Sequence, residues 1–189
     1  MVQLLSMGNA RHDLLERVMD DVARHGMGGR SLREMAEAVG SSHRMLLYHF
    51  GSREGLVAAV VGQVEAQQRG ALAEAARTAP PGAQPEDVVL ALWHQVASEE
   101  LRPFVRLFFE ALASMGLEGG DGDLTSAWLD ESEAVGRLLG APADSVDLRL
   151  GVAVVRGLLV DVVATGDTGP ATEALVRYLD LWRAGRVTT

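Results

Sequence analysis

No cysteine occurs in the 189 residues. Disulfides and thiolate metal sites are therefore excluded, which fits a reducing compartment. Lysine is also missing: all 17 basic side chains are arginine, set against 26 acidic ones for a formal charge of −9. Aromatics make up only 5%. No long hydrophobic run is present. The most apolar stretch, Gly151 to Ala164, is interrupted by Arg156 and Asp161 and is too short and too charged to span a bilayer. Met1 to Gly8 lacks the basic n-region and apolar length of a secretory leader and is expected to fray. The sequence thus reads as cytoplasmic, with no membrane partner.

What remains is ordinary globular material, 48% apolar and 23% charged. A chain of this size can bury about 70% of its unfolded surface and needs no covalent staple. A net −9 argues against a general polyanion binder, because wholesale phosphate neutralisation needs positive charge. The charge is unevenly spread, however. Residues 1–55 hold seven arginines, seven acids and four of the five histidines, whereas residues 56–189 hold ten arginines and nineteen acids. All of the net negative charge lies in the C-terminal part.

Strand signals are almost absent, and apolar residues recur at three and four, the helical period. Asn9 is placed to cap a first helix with the inward stripe Leu14, Leu15, Val18, Met19 and Val22, ending at His25-Gly26. Ser31 with Glu34 reads as a capping box for a short second helix carrying Leu32, Met35, Ala36 and Val39. Ser41 or Ser42 caps a third short helix to about Phe50, and Ser52 caps a long fourth from Arg53 to about Arg77. After the linker Thr78 to Gln84, Pro85 opens a helix to about Ser98. Further helices are expected over Pro103 to Met115, Leu124 to Leu139, Asp144 to Ala164 and Pro170 to about Arg183, with a Gly/Asp loop at Gly116 to Asp123. The expectation is an all-α chain of nine helices: a three-helix head at 1–55, and a helical body at 56–189.

Three helices joined by tight turns, the second and third very short, form a helix-turn-helix pattern whose last helix enters the major groove of DNA. At 100° per residue with Leu46 facing the core, Phe50 and Ser42 share its side, while Arg44 and Tyr48 fall at about 160° and about 200°. An exposed Arg and Tyr one turn apart suit a groove, because Arg pairs bidentately with guanine and Tyr reaches a phosphate or a thymine methyl. Residues 29–53 carry Arg30, Arg33, Arg44 and Arg53 against Glu34 and Glu37, a local excess of two positive charges.

The run Ser31-Leu32-Arg33-Glu34-Met35-Ala36-Glu37-Ala38-Val39-Gly40, Ser41-Ser42, Leu46-Leu47-Tyr48-His49-Phe50 and Ser52-Arg53-Glu54-Gly55-Leu56 resembles the TetR family of bacterial transcriptional regulators over about residues 10–60. The helix count, the length and an acidic C-terminal part also resemble that family. Ser31 stands where the family usually has Thr, Met35 for Ile, Ser41 for Val, Leu47 for Tyr, Arg44 for a common Gly and Arg53 for Lys. The resemblance implies phosphate contacts from Ser31, His49 and Arg53, with Tyr48 sharing the work of the displaced Tyr. His43, Arg44 and Leu47 take base contacts by position. The DNA-binding set is completed by Arg33 and Ser42.

It also implies a dimeric, ligand-responsive regulator, most naturally a repressor, on a near-palindromic operator, with residues 1–55 as its DNA-binding head and residues 56–189 as its effector-binding and dimerisation body. The ligand is an unknown small molecule. Trp93, Phe104, Leu107, Phe108, Leu112, Met115 and Trp128 read as an apolar interior. The candidate pocket residues are Trp93, His94, Arg106, Phe109, Glu110 and Trp128, with Asp161 as a further polar group. The alternative for Arg106 and Glu110, four residues apart on one helix, is an ion pair with each other. The expected dimer face combines Leu148, Val152, Val155, Leu159 and Val162 with Leu175, Tyr178, Leu179 and Trp182. No nucleophile elbow or phosphate loop occurs, and the Gly119 to Asp123 tract lacks the calcium-loop spacing. No enzyme activity, catalytic residue, metal or cofactor is expected. The alternative is a helical protein-interaction or ligand-sequestering module that has lost DNA binding.

Overall fold

The computed structural model describes the backbone of residues 2–114, 125–141 and 143–187, and the side chains of 10–113, 125–141 and 143–185. Among the described residues there are nine helices and no strand: α1 (Val2–His25), α2 (Leu32–Ala38), α3 (His43–Phe50), α4 (Arg53–Thr78), α5 (Pro85–Val96), α6 (Arg102–Ser114), α7 (Ser126–Leu138), α8 (Ser145–Thr165) and α9 (Gly169–Val187). Met115 and the expected Gly/Asp loop lie outside the described residues. Packing divides the chain into two units, residues 1–65 with 103–116 and residues 66–102 with 117–189.

In the first unit the predicted stripe of α1 is the buried one: Val18 and Val22 are wholly inaccessible, and Leu14, Leu15 and Met19 nearly so. The same unit buries Met35, Leu46, Leu56 and Val60, and from α6 Phe104, Leu107 and Phe108. Leu112, expected inside, is exposed. α1 begins at Val2 and runs through Asn9, so Asn9 is not its cap and the first residues are helical. Gly8 costs a helix only about 1 kcal/mol, and the good helix formers around it carry the helix through.

The short helices owe their ends to capping. The Ser31 N–H donates to Glu34 Oε2 at 2.7 Å, and Ser31 Oγ accepts from the Glu34 N–H at 3.3 Å, the predicted capping box. Hydrogen bonds from the Ser31 backbone and hydroxyl hold the exposed Glu34 carboxyl below its ordinary pKa. Ser42, not Ser41, caps α3, its Oγ accepting from the Met45 N–H at 3.2 Å. Ser52 caps α4 through the Gly55 N–H at 3.0 Å. Gly55 is required there, because a Cβ would collide with the Phe50 carbonyl oxygen.

In the second unit, Leu72 and Ala76 of α4 meet Val88 of α5 and Val135 of α7, with Leu92, Trp128 and Leu139 packed around them. α8 packs on α9 and α7, and α9 on α5. Pro85 sits at the first turn of α5, and Asp144 caps α8 by accepting from the Val146 and Asp147 N–H groups at 2.8 and 2.9 Å. The residues of the expected dimer face divide by burial within this packing. Leu159, Val162, Leu175 and Leu179 are buried inside the subunit, and Leu148, Val152, Val155, Tyr178 and Trp182 are half-buried. The Tyr178 hydroxyl lies beside Gly151, within the α8–α9 seam. The apolar residues left in the open on α8 are Val146 (72% exposed), Leu150 (52%) and Val160, aligned with exposed Ala153, Gly157 and Ala164. A helix that is apolar on several sides carries two such stripes, and only packing decides which one faces in.

Candidate nucleic-acid interface

α3 has two distinct sides. Leu46 is fully buried and Phe50 nearly so, and together they anchor the helix. On the other side His43, Arg44, Met45 and Leu47 are exposed, and Tyr48 is 63% exposed. Arg44 makes no hydrogen bond or ion pair with any described residue, so its five donors are free to reach outward. The Tyr48 ring meets His49 edge-on at 5.0 Å between centroids, which limits the motion of both. Of the nine predicted DNA-contacting residues, His43, Arg44, Leu47 and Tyr48 share this outward face. Met45 on the same face was not picked out by sequence reasoning: like Leu47 it falls on the flank of the helical wheel, but only Leu47 stands at a position that the family resemblance marked.

Four other arginines of the head grip the chain itself, while Arg24 and Arg33 stay on the exposed surface. Arg53 donates from Nε to the Arg30 carbonyl at 3.1 Å and from Nη2 to the Met27 carbonyl at 3.2 Å, tying the start of α4 to the α1–α2 turn. Arg30 donates to Asp21 Oδ2 at 2.6 Å, in a pair whose carboxylate is almost fully buried. His25 Nδ1 lies 2.9 Å from the other oxygen of Asp21. Burial alone would raise the Asp21 carboxyl, but hydrogen bonds from Arg30 and His25 outweigh it and hold the group below its ordinary value. Arg17 donates to the Val39 carbonyl at 2.9 Å, at the C-terminal end of α2. Arg11 donates to the His49 carbonyl at 3.4 Å and lies 5.1 Å over the Phe50 ring.

Arginine suits such braces, since its planar five-donor fork can hold two acceptors at once, as Arg53 and Arg30 do. They also reduce the free charge that composition implied. Arg30 is neutralised by Asp21, and exposed Arg33 sits 3.2 Å from Glu37. Ser31 is committed to the capping box and Ser42 to the α3 cap, while His49 is half-buried between Tyr48 and Phe50.

The predicted pocket residues divide between the units. Arg106, Phe109 and Glu110 belong to the first unit, with Phe109 edge-on to Phe108 at 5.2 Å. Arg106 and Glu110 are both exposed and do not pair with each other. In the second unit Trp128 packs into the small core, and Asp161 is exposed. Trp93 and His94 line a cavity of about 330 Å³ together with Ala97, Ser98, Glu99, Arg102, Gly166, Asp167, Thr168 and Thr172. The Trp93 Nε1–H donates to Thr172 Oγ1 at 2.8 Å, joining positions 79 apart in sequence. No local pattern announces such a site.

Residues 21–60 match the family described as bacterial regulatory proteins, tetR family. Over nearly its whole length the chain is similar to the HTH-type transcriptional repressor AcnR of Corynebacterium efficiens, with 27% identity covering 92% of this chain and 90% of the other. A TetR-family transcriptional regulator from Pectobacterium atrosepticum shares the fold with a TM-score of 0.76 at 20% identity, covering 94% of both chains. The multidrug binding protein EbrR, complexed with imidazole, does so with a TM-score of 0.65 at 22% identity, covering 89% of both. With its outward-facing α3 and its braced three-helix head, the chain is similar over residues 21–60 to the bacterial regulatory proteins of the tetR family, over nearly its whole length to a transcriptional repressor, and in fold to TetR-family regulators.

Proposed function

We propose that the chain is a homodimeric, ligand-responsive repressor that binds a near-palindromic operator in the cytoplasm. The observation that carries this reading is the outward face of α3, where Arg44 and Tyr48 stand one turn apart, exposed and opposite a fully buried Leu46. His43, Arg44, Leu47 and Tyr48 read base edges and His49 meets the phosphate backbone, while Ser31 and Arg53 hold the head in shape behind them. Residues 1–55 serve as the reading head and 56–189 as the effector and dimer body. Repression follows the AcnR likeness.

The dimer forms through the open face of α8, at Val146, Leu150 and Val160, against a second copy. A two-fold pairing of one such stripe is self-complementary, and a near-palindromic operator offers its half-sites to two α3 helices about 34–36 Å apart, one turn of DNA. The cavity at Trp93 is the proposed effector site. Its ligand acts through different affinities for the DNA-bound and free states.

The test is selection of genomic DNA fragments on the purified protein across a salt series. Enriched fragments sharing a two-fold symmetric motif are expected, with affinity falling steeply as salt rises. A chain that enriches nothing at low salt would instead be an interaction module without DNA binding.

A further inference from the structure

The cavity at the end of α5 contains an unusual set of charges. One guanidinium, Arg102, and two carboxylates, Glu99 and Asp167, line the same space. Among the described residues none of the three forms an ion pair with another. Arg102 is held by a single hydrogen bond, Nη2 to the Gly166 carbonyl at 3.2 Å, and its buried Nε has no acceptor. Asp167 is fixed at the entrance to α9, where Oδ1 accepts from the Gly169 N–H at 2.9 Å, and its other oxygen has no partner. Glu99 is exposed and makes no side-chain hydrogen bond with any described residue. The Trp93–Thr172–Thr168 chain is satisfied within itself, with Thr172 Oγ1 donating to the Thr168 carbonyl at 2.7 Å.

We infer that this cavity binds a zwitterionic α-amino acid with an uncharged side chain of modest size. A plain anion would meet the two carboxylates, and a plain cation the guanidinium. A ligand with both charges satisfies both. Its carboxylate takes the guanidinium fork in the geometry that Arg favours, and its ammonium sits between Glu99 and Asp167. Beyond these three groups the lining holds no further arginine or carboxylate, only His94, hydroxyls and glycine beside Trp93 and Ala97, so a side chain with a charge of its own would find no formal counter-charge left. The volume, about 330 Å³, lies at the low end of ligand pockets, which excludes large hydrophobic drugs.

The inference rests on reading this cavity as the effector site, so binding and DNA release are measured separately. Calorimetric titration of the full-length protein with each of the twenty proteinogenic L-amino acids, without DNA, is expected to show binding by at least one with an uncharged side chain. Its N-acetyl and methyl-ester forms bind at least tenfold more weakly. Arg102→Gln and Glu99→Gln each weaken binding at least tenfold with unchanged circular dichroism; Glu99, being exposed and unbonded, is the variant sure to keep the fold. No binding by any of the twenty at millimolar concentration overturns the inference, as does equal binding of the blocked forms or by both variants. Binding that leaves DNA affinity unchanged supports the inference and refutes the effector reading. DNA release by some other compound, with no amino-acid binding, overturns the inference alone.

Discussion

Replacing Arg53 separates two roles that the sequence could not tell apart. The family resemblance makes position 53 a phosphate contact; the structure turns its guanidinium inward, onto the Met27 and Arg30 carbonyls. A hydrogen bond from a charged donor contributes about 1.5–3 kcal/mol, so two set an upper figure of about 3–6 kcal/mol. Arg53 is only half-buried, and water can reach the freed carbonyls. Roughly half the upper figure, about 1.5–3 kcal/mol, is the expected loss of stability in Arg53→Ala. For a chain of this length that lowers Tm by about 3–12 °C. Arg53→Lys should fall between, because a single ammonium on a flexible stem does not reproduce a two-carbonyl grip. Urea unfolding at fixed protein concentration measures the change, since a dimer's stability depends on concentration. Operator binding of the folded variant is measured beside it across a salt series. Stability altered by less than about 0.5 kcal/mol, together with a salt slope smaller by about one, would refute the brace and restore the phosphate contact.

Three further outcomes follow from the same structure. Gly55→Ala places a methyl group against the Phe50 carbonyl, where the obstacle is backbone and cannot move aside; a loss near the upper end of overpacking costs, about 3 kcal/mol, is expected by thermal unfolding. Asp21 has a lowered folded pKa, so its contribution is complete above the ordinary carboxylate value of about 3.9 and is lost as pH falls through the lower folded value. The stability gap between the parent and Asp21→Asn should therefore narrow below about pH 4, as read by denaturation at stepped pH. Leu150→Glu charges the open face of α8 without touching the core, and should turn a dimer into a folded monomer in sedimentation with subunit stability changed by about 0.5 kcal/mol or less.

Local rules made the helical skeleton legible. The Ser31–Glu34 box, the Ser42 and Ser52 caps, Pro85 at the start of α5 and the period of Leu14, Val18 and Val22 are short-range features, and each appears where the spacing put it. The outward pairing of Arg44 and Tyr48 was legible for the same reason, because one buried residue, Leu46, orients an eight-residue helix. Long-range partners were not. Arg17 reaches Val39 and Arg53 reaches Met27, and a sequence does not show whether an arginine ends in solvent or on a carbonyl 22 or 26 residues away. The two sides of α8 were not separable in the sequence, because Leu159 and Val162 are as apolar as Val146 and Leu150, and only the packing of α8 on α7 and α9 distinguishes them. The cavity is assembled from the end of α5, the approach to α6 and the α8–α9 turn, so its residue set was invisible beyond Trp93 and His94.

The most direct test of the account compares fragment selections on the parent and on Arg44→Ala. The parent should enrich DNA with a two-fold symmetric motif. The variant should bind that motif with about 5- to 150-fold lower affinity, the equivalent of about 1–3 kcal/mol, and should lose selectivity at one base pair in each half-site. If the variant selects the same motif with unchanged affinity, or if the parent enriches nothing at low salt, α3 is not the element that reads DNA and the account fails.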